Sequence, residues 1–309
     1  MSVITIRKLS SWQEFIEENN SSNEEFICRG HTNEVRNGEF IEWEIVSSFN
    51  RYYSDLNFRF ESILGQQLEE SLFESYYGNY KCVKDYKINN VNTLTKLYFL
   101  QHYGVPTCLI DFTYNPFIAL YFAISNIKGQ QAGKYSFDGI PNFYPDNYHI
   151  SVYKINVKLL VEKFEVNEIK HIDNSLFLNY FEYRKFYLGN MGIYIALDKN
   201  PEKKLSNNVQ NHNLIKQQSC FILFDNGDAS GVSLETFINK YSDDNQISLT
   251  KPLIEVFKIP YNSILRKQRS KHPSSKSLFK YLHINGISGQ SLFNDFQGLK
   301  YDLNFFHQF

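Results

Sequence analysis

The stretch LQHYGVPTCLIDFTYNPFIALYFA, residues 100–123, decides the fold. Its first residues end a helix, because Gly104 occupies the position of a helix C-terminal glycine. The apolar run CLIDF then predicts a short strand. Asn115 and Pro116 open a second helix, since asparagine is a good N-cap and proline fits the first helical position. That helix, FIALYFAIS, is apolar on all sides and is therefore predicted to be buried.

Polar side chains stand among the apolar residues of this stretch. They are Gln101, His102, Thr107, Asp111 and Thr113. Strand alternation places Asp111 and Thr113 on one face, just before a helix N-terminus whose free N–H groups could receive an anion. A carboxylate opposes a phosphate at close range, but it suits ribose hydroxyls. Alternatively, Asp111 caps the turn or pairs with Arg29 or Arg51, and His102 with Asp111 could form a proton-transfer pair.

Arg29 and Gly30 follow an apolar segment, Phe26 to Cys28, which predicts a strand. An arginine at a strand end with a flexible glycine behind it can fork onto a phosphate or a carboxylate. The alternative is a structural ion pair with a nearby acid. Farther along, Gln217 stands at the entrance of a strand beginning near Cys220, where loop solvation is the ordinary explanation for adjacent glutamines.

Mixed strands and helices without regular alternation predict an α+β fold. We expect residues 1–25 to form a strand and a helix that begins after Ser11, joined to one domain over residues 26–309. Residues 128–148 are rich in Gly, Asn, Asp and Pro and predict a surface insertion. Further predicted strands and helices are Val3 to Ile6, 56–80, Ile150 to Val157, Phe221 to Phe224, Ile254 to Ile259 and Ser277 to Leu282.

Composition argues against several classes of protein. The 309 residues carry a net charge of −1, so bulk charge attracts neither nucleic acid nor anionic lipid. Four scattered cysteines suit a reducing compartment and offer no zinc signature, and the histidines show no metal-ligand spacing, so we expect no metal. The longest apolar run is too short for a bilayer, and no secretory signal is present, so we expect a cytoplasmic protein without a membrane partner.

Several of these segments together resemble the FRG-domain family, named for an aromatic-Arg-Gly motif. Arg29-Gly30 matches that motif, WEIVSSFNR is similar to a W-x-L-x-P-S-x-x-R segment, and residues 100–123 are similar to L-Q-H-x-G-x-P-T-R-L-L-D-W-T with its following helix. NLIKQQSCF resembles a later R-x-x-x-Q-x-G-x-F segment that contains Gln217, and IPYNSIL and LFNDFQG resemble closing pieces. Cys28, Cys108, Phe112, Asn213 and Ser219 depart from the family pattern.

A more distant resemblance is to ADP-ribosyltransferases of the R-S-E type. By order along the chain, Arg29 matches the arginine that helps hold NAD, Thr113 the Ser/Thr segment, and Gln217 the late glutamate. This resemblance implies an ADP-ribosyltransferase-like fold of mixed sheets with flanking helices. A glutamine carries no charge to stabilise a developing cation, so the carboxylate would come from Asp111, with Glu44 and Glu255 as weaker candidates.

Two functions follow from these expectations. The first is an NAD-consuming enzyme, an ADP-ribosyltransferase or NAD glycohydrolase suited to a toxin or phage-defence effector. Its catalytic residues would be Asp111, His102 and Gln217, its acceptor a protein or a nucleic acid, and NAD its substrate. Residues expected to hold NAD are Arg29, Gly30, Gln101, Thr107 and Thr113. The second is a non-catalytic module of the same fold that binds a nucleotide, a nucleic acid or a protein, which the missing arginines at Cys108 and Asn213 favour.

Overall fold

The computed structural model describes residues 2–20, 26–36, 39–53, 101, 106–107, 109–125, 148–164, 167–168, 192–196, 216–225, 232–265, 278–293, 298 and 302. The predicted helix over 56–80 and the predicted insertion, apart from its last residue, lie outside these ranges. His102, Cys108 and Asn213 lie outside them as well.

The described strands form a large mixed sheet and a small hairpin. Ten strands run from β1 to β10 in chain order: Ile4–Lys8, Phe26–His31, Glu34–Arg36, Glu39–Ile41, Leu109–Thr113, His149–Asn156, Asn167–Glu168, Gly192–Ala196, Ser219–Asp225 and Ile254–Pro260. The large sheet has the order β1-β10-β6-β2-β5-β9-β8-β7, and β3 pairs with β4 as the hairpin. The β1–β10 and β7–β8 pairs are parallel and the other pairs are antiparallel.

Helices cover both faces of the large sheet. The described helices α1 to α8 are Trp12–Asn19, Ser48–Tyr53, Pro116–Ser125, Val157–Lys163, Leu234–Asp244, Tyr261–Leu265, Leu278–Ile284 and Gly289–Leu292. One core cluster joins α1, α3, α6, α7 and α8 to one sheet face, including Cys28 and Val152. The second cluster joins α4 and α5 to the other face, including Ile27 and Ile155. Helices and a mixed sheet of this kind confirm the predicted α+β class.

The predicted helix starts have clear physical causes. Ser11 caps α1, because its Oγ accepts from the Glu14 backbone N–H at 3.4 Å. Asn115 caps α3 by accepting from the backbone N–H groups of Phe117 at 2.9 Å and Ile118 at 3.4 Å. Ser11 and Glu14 have the sequence spacing of a reciprocal capping box, but the Glu14 side chain has a different partner. The Glu14 carboxylate accepts from the backbone and hydroxyl of Ser10, at 2.8 and 2.9 Å, rather than from Ser11.

The predicted strand boundaries shift slightly, and one shift changes the position of the candidate arginine. β2 spans Phe26–His31, so Arg29 lies inside the strand and the expected position at a strand end is wrong. β2 extends because Phe26 to His31 all pair with β6, from Phe26 opposite Asn156 to His31 opposite Ser151.

The predicted helix α3 is buried as expected, with Leu120, Tyr121 and Ala123 fully shielded from solvent.

The large sheet has a weak junction at its centre. β2 and β5 pair only at Cys28 opposite Thr113, whereas β2 with β6 and β5 with β9 pair along most of their lengths. Beyond that pair β2 and β5 make no further ladder pairs. The junction therefore divides the sheet into two four-stranded halves that pair at one position. We call the unpaired stretch beside Arg29 and Asp111 the gap.

No helix within the described ranges is both long enough and apolar enough to span a membrane.

Candidate functional site

The side chain of Arg29 fills the gap between the two halves of the sheet. Its Nη1 donates to the backbone carbonyl of Asp111 at 2.6 Å, and its Nε donates to Nε2 of His31 at 2.7 Å. The bond to Asp111 joins β2 to β5 where they make no ladder pair, whereas the bond to His31 lies within β2. The two bonds also fix the plane of the guanidinium, since two donors on different atoms are engaged. The Arg29 side chain is 16% exposed, so it is largely but not wholly desolvated.

His31 is held in a single tautomer. Because its Nε2 accepts from Arg29, Nδ1 carries the proton and donates to the Trp43 carbonyl at 3.1 Å. Tyr153 packs edge-on against the His31 ring, with centroids 5.0 Å apart, and its hydroxyl donates to the same carbonyl at 3.0 Å. Burial and the neighbouring Arg29 charge lower the pKa of His31 to about 3, so the imidazole is neutral at physiological pH.

Asp111 extends its carboxylate into the gap beside Arg29. The Gln101 amide donates to Asp111 Oδ1 at 2.6 Å, while Oδ2 lies 4.0 Å from Nη1 of Arg29. Gln101 is in turn oriented by the Thr107 hydroxyl, which donates to its Oε1. Thr107 is fully buried and is fixed by Ser48, whose Oγ accepts from the Thr107 N–H at 3.0 Å. The structure therefore brings Arg29, Gln101, Thr107 and Asp111 together.

The Asp111 carboxylate is both open to solvent and surrounded by protein. Its side chain is 60% exposed. The surrounding protein nevertheless desolvates it and raises the pKa of Asp111, against the opposing influence of Arg29 and the Gln101 amide. The carboxylate is thus reached by solvent on one side and desolvated by protein on the other. A ligand approaching from solvent would meet it directly.

A second cation accompanies Arg29. Arg51 lies in α2 with its side chain exposed, and its charge interacts with both Asp111 and Arg29. Burial lowers the pKa of Arg51 while Asp111 acts in the opposite direction. Two guanidinium groups thus flank one carboxylate. This excess of positive charge suits an anionic ligand that also presents hydroxyl groups.

Gly30 owes its identity to packing. A Cβ atom at this position would lie 1.9 Å from the backbone oxygen of Ala119 and 2.8 Å from the backbone nitrogen of Ala123. Gly30 therefore lets α3 lie close against β2. Its α-carbon faces the helix and not the gap, so the expectation that Gly30 contacts a cofactor gains nothing from this placement.

Thr113 and Gln217 are engaged in a turn beside the sheet junction. The Thr113 hydroxyl donates to the Gln217 carbonyl at 2.7 Å and accepts from the Asn115 N–H at 3.1 Å. The Gln217 amide donates to the Leu292 carbonyl at 3.2 Å. These bonds link β5, α3 and the start of β9. Thr113, 3% exposed, and Gln217 therefore serve the local structure.

One carboxylate near Arg29 was not predicted from the sequence. Glu235, in the first turn of α5, accepts from the Ile45 N–H through both oxygens at 3.0 Å. Burial raises the pKa of Glu235 to about 7, and Glu44 acts in the same direction. Its charge also reaches Arg29. A signal was present in the sequence, because Ser233 caps α5 and Glu235 follows within the first turn, but nothing linked that helix to Arg29.

The two weaker carboxylate candidates differ in position. Glu44 is exposed and interacts electrostatically with Glu235 and Tyr153. Glu255 lies on β10, 3.9 Å from Arg7, and β10 is separated from β2 by β6. Glu255 is therefore remote from the gap, and the suggestion that it serves this site is wrong. Among the described residues, no cluster of His, Cys, Asp and Glu could hold a metal ion.

The comparisons with known proteins give a match to a protein family. The family model of the FRG domain matches residues 24–132. No curated protein and no solved structure matches the chain. The later segments around Gln217 and beyond lie outside the matched range. Residues 24–132, the part of the chain that holds Arg29, Gln101 and Asp111, are thus similar to the FRG domain.

Proposed function

We propose that the gap between β2 and β5 binds NAD and that the protein consumes it, as an ADP-ribosyltransferase-like enzyme or an NAD glycohydrolase. The observation that carries the proposal is the placement of an exposed, desolvated carboxylate beside a fixed guanidinium at the break in the sheet. NAD combines phosphates with ribose hydroxyls, so it needs cationic donors and a carboxylate acceptor side by side.

Asp111 would accept from the ribose hydroxyls. A carboxylate accepts through both oxygens, and the Gln101 bond occupies Oδ1 from one side only. The exposed fraction of the Asp111 side chain leaves room for such a partner. Thr107 and Gln101 would keep the carboxylate oriented before the ligand arrives, which lowers the entropic cost of binding.

Arg29 and Arg51 would bind the pyrophosphate. Toward the described residues Arg29 donates through Nε and one Nη1 hydrogen, so the Nη2 hydrogens and the second Nη1 hydrogen would serve an anion. Arg51 is exposed, so its side chain would be able to move into contact with the bound ligand. Arginine suits this role because its planar fork matches phosphate oxygens in pairs.

The chemistry would break the bond between ribose C1′ and the nicotinamide nitrogen. Nicotinamide leaves with the bonding electron pair, and positive charge develops at C1′ and the ring oxygen. A water molecule or an acceptor nucleophile then bonds to C1′ and gives up a proton. The Asp111 carboxylate would stabilise the developing positive charge, since a fixed negative group near C1′ acts most strongly in the transition state.

The alternative is a non-catalytic nucleotide-binding module, and one observation favours it. In the order of the R-S-E motifs, Gln217 takes the place of the late glutamate, and its amide is bonded to the Leu292 carbonyl. An uncharged side chain engaged in this way cannot stabilise a cation. A module would bind NAD or ADP-ribose in the same gap but release no nicotinamide.

Thermal unfolding with and without ligand tests the binding step. A ligand that binds only the folded state raises the melting temperature, so NAD and ADP-ribose should each stabilise the wild-type protein. Arg51→Gln should reduce that shift because it removes one cation from the gap. Arg7→Gln is the matched control, since Arg7 is also exposed but lies on β1 and pairs with Glu18. Equal shifts in all three proteins, or no shift in the wild type, would contradict the proposed site.

A further inference from the structure

We propose that His31 is a positioning residue that holds Arg29 with a neutral acceptor and so keeps the guanidinium charge free for an anion. An arginine inside a fold usually has a carboxylate partner, which fixes its position but also neutralises its charge. Here the partner at Nε is an imidazole nitrogen at 2.7 Å. His31 therefore supplies the geometry of a carboxylate acceptor without the negative charge. The inference deepens the proposed function, since the anion would be the pyrophosphate of the bound nucleotide.

The hydrogen bonds on both sides of the ring enforce neutrality. Nδ1 donates to the Trp43 carbonyl at 3.1 Å, which leaves Nε2 unprotonated to accept from Arg29. Protonation of Nε2 would set an N–H group against the Nε–H of Arg29. Both groups would then carry a positive charge, and Arg51 would add a third. The ring is 9% exposed, so water would compensate little of that repulsion.

The carbonyl that orients His31 is itself firmly held. Trp43 accepts at its oxygen from both His31 and Tyr153, and its N–H donates to Oδ1 of Asn33 at 3.2 Å. Asn33, 3% exposed, is fixed in turn by its bonds to the His149 carbonyl and the Ser151 hydroxyl. The segment that defines the His31 tautomer is thus part of the rigid structure around β2 and β6.

The charged groups near Arg29 do not neutralise its positive charge, so the guanidinium can still attract an anion. The Asp111 carboxylate lies 4.0 Å away, beyond hydrogen-bond distance, and is bonded to Gln101. Glu235 acts on Arg29 at longer range, and burial raises its pKa to about 7, so near neutral pH it carries only part of its negative charge. Arg51 adds a further positive charge. A carboxylate at position 31 would remove the excess of positive charge around Arg29, whereas the neutral imidazole preserves it.

A matched pair of substitutions separates charge from shape. His31→Gln and His31→Glu place side chains of the same size at this position. The glutamine amide can accept from Arg29 through its oxygen and keeps an N–H donor for the Trp43 carbonyl, whereas an ionised glutamate offers acceptors alone. Only the glutamate adds a negative charge. Dissociation constants would be measured by calorimetry at low salt for ADP-ribose, inorganic pyrophosphate and adenosine. We expect the affinity of His31→Gln for ADP-ribose to lie within about threefold of the wild-type affinity. We expect His31→Glu to bind ADP-ribose at least about tenfold more weakly, which corresponds to about 1.4 kcal/mol of binding free energy.

The outcomes distinguish this inference from the proposed function. Equal affinity of the two variants for ADP-ribose, with a wild type that binds, would overturn the role of His31 and leave the nucleotide site intact. Binding of pyrophosphate but not ADP-ribose by the wild type, with loss in His31→Glu, would support His31 and overturn the nucleotide proposal. A wild type that binds neither would overturn both. Adenosine has no phosphate, so His31→Glu should not weaken its binding selectively.

A spectroscopic measurement tests the inference without any ligand. The nitrogen chemical shifts of His31, recorded between pH 5 and 8, should show a protonated Nδ1 and an unprotonated Nε2 throughout. The Nε–H of Arg29 should show slow exchange with water in the wild type. A His31 ring that becomes doubly protonated within this range would overturn the proposal, whether or not the variants fold.

Discussion

Nη1 of Arg29 donates to the backbone carbonyl of Asp111 at 2.6 Å, across 82 positions of the chain. The bond closes the sheet where β2 and β5 no longer pair. It also places the guanidinium next to the carboxylate of the same aspartate. Arg29 therefore has two roles. It joins the two halves of the sheet through a hydrogen bond, and it places a positive charge in the candidate site.

This double role predicts a large loss of stability in Arg29→Ala. The Asp111 carbonyl and Nε2 of His31 would both lose their donor in a largely desolvated place, which should lower the free energy of unfolding by about 2–4 kcal/mol. Urea denaturation measures the change. Arg7→Ala is the control, since its exposed ion pair with Glu18 should contribute less than about 1 kcal/mol. Similar losses in the two variants would show that Arg29 does not join the sheet halves.

Two glycines predict different costs for the same substitution. Gly30→Ala would place Cβ 1.9 Å from the Ala119 backbone oxygen, so β2 and α3 must separate. We expect a loss of roughly 3 kcal/mol or more, or failure to fold. Gly286→Ala meets no atom within 4 Å and bears only the strain of φ +77°, about 1 kcal/mol. Thermal or urea unfolding compares them, and a mild effect at Gly30 would contradict the close packing.

Thr113 predicts a structural effect without a catalytic one. Thr113→Val removes a hydroxyl that donates to the Gln217 carbonyl and accepts from Asn115, so stability should fall by about 1–3 kcal/mol. Thr113→Ser keeps both bonds and should lose much less. Affinity for ADP-ribose, measured on folded protein, should be unchanged in both variants. A selective loss of affinity in Thr113→Val would instead place this hydroxyl in contact with the ligand.

The raised pKa of Glu235 predicts that the free energy of unfolding depends on pH, with a defined sign. Burial raises its pKa from 4.5 to about 7 in the folded chain. Between these values the folded protein binds more protons at Glu235 than the unfolded chain does, so the free energy of unfolding falls as pH rises. The free energy of unfolding lost in this way is on the order of 3 kcal/mol and reaches its full value about one pH unit above the folded pKa.

Substitution isolates this contribution from the other titrating groups. The difference in unfolding free energy between wild type and Glu235→Gln, measured by urea denaturation from pH 4.5 to 8, should shift against the wild type as pH rises. Glu162→Gln is the control, because the Glu162 side chain is 51% exposed and lies on α4. A difference curve for Glu235→Gln that stays flat across this pH range would mean that burial does not raise the pKa of Glu235.

Local signals accounted for much of the fold. Asn115 and Pro116 predicted the start of α3, and the apolar run after them predicted a buried helix, because capping and burial are determined by nearby residues. The end of β2 was missed because it depends on pairing with β6, more than a hundred residues later. The short parallel pair of β1 with β10 was likewise beyond local pattern.

The candidate site followed a similar division. The sequence placed Gln101 and Asp111 in one segment, and the structure joins their side chains at 2.6 Å. The sequence could not show that His31 orients Arg29 or that Glu235 lies near Arg29, since these contacts depend on how strands and helices pack in three dimensions. The order of motifs also suggested Gln217 for the site, whereas its amide bonds to Leu292.

Nicotinamide release from NAD by wild type and Asp111→Asn tests the central claim most directly. Asparagine keeps the shape and an acceptor for Gln101, so the variant should melt near the wild-type temperature. Asp243→Asn, an exposed site on α5, is the control. If Asp111 stabilises the positive charge at C1′, the wild type and the control should release nicotinamide, and Asp111→Asn should be slower by about a hundredfold or more. Equal turnover in all three proteins, or none in the wild type with protein and nucleic-acid acceptors present, would contradict the account.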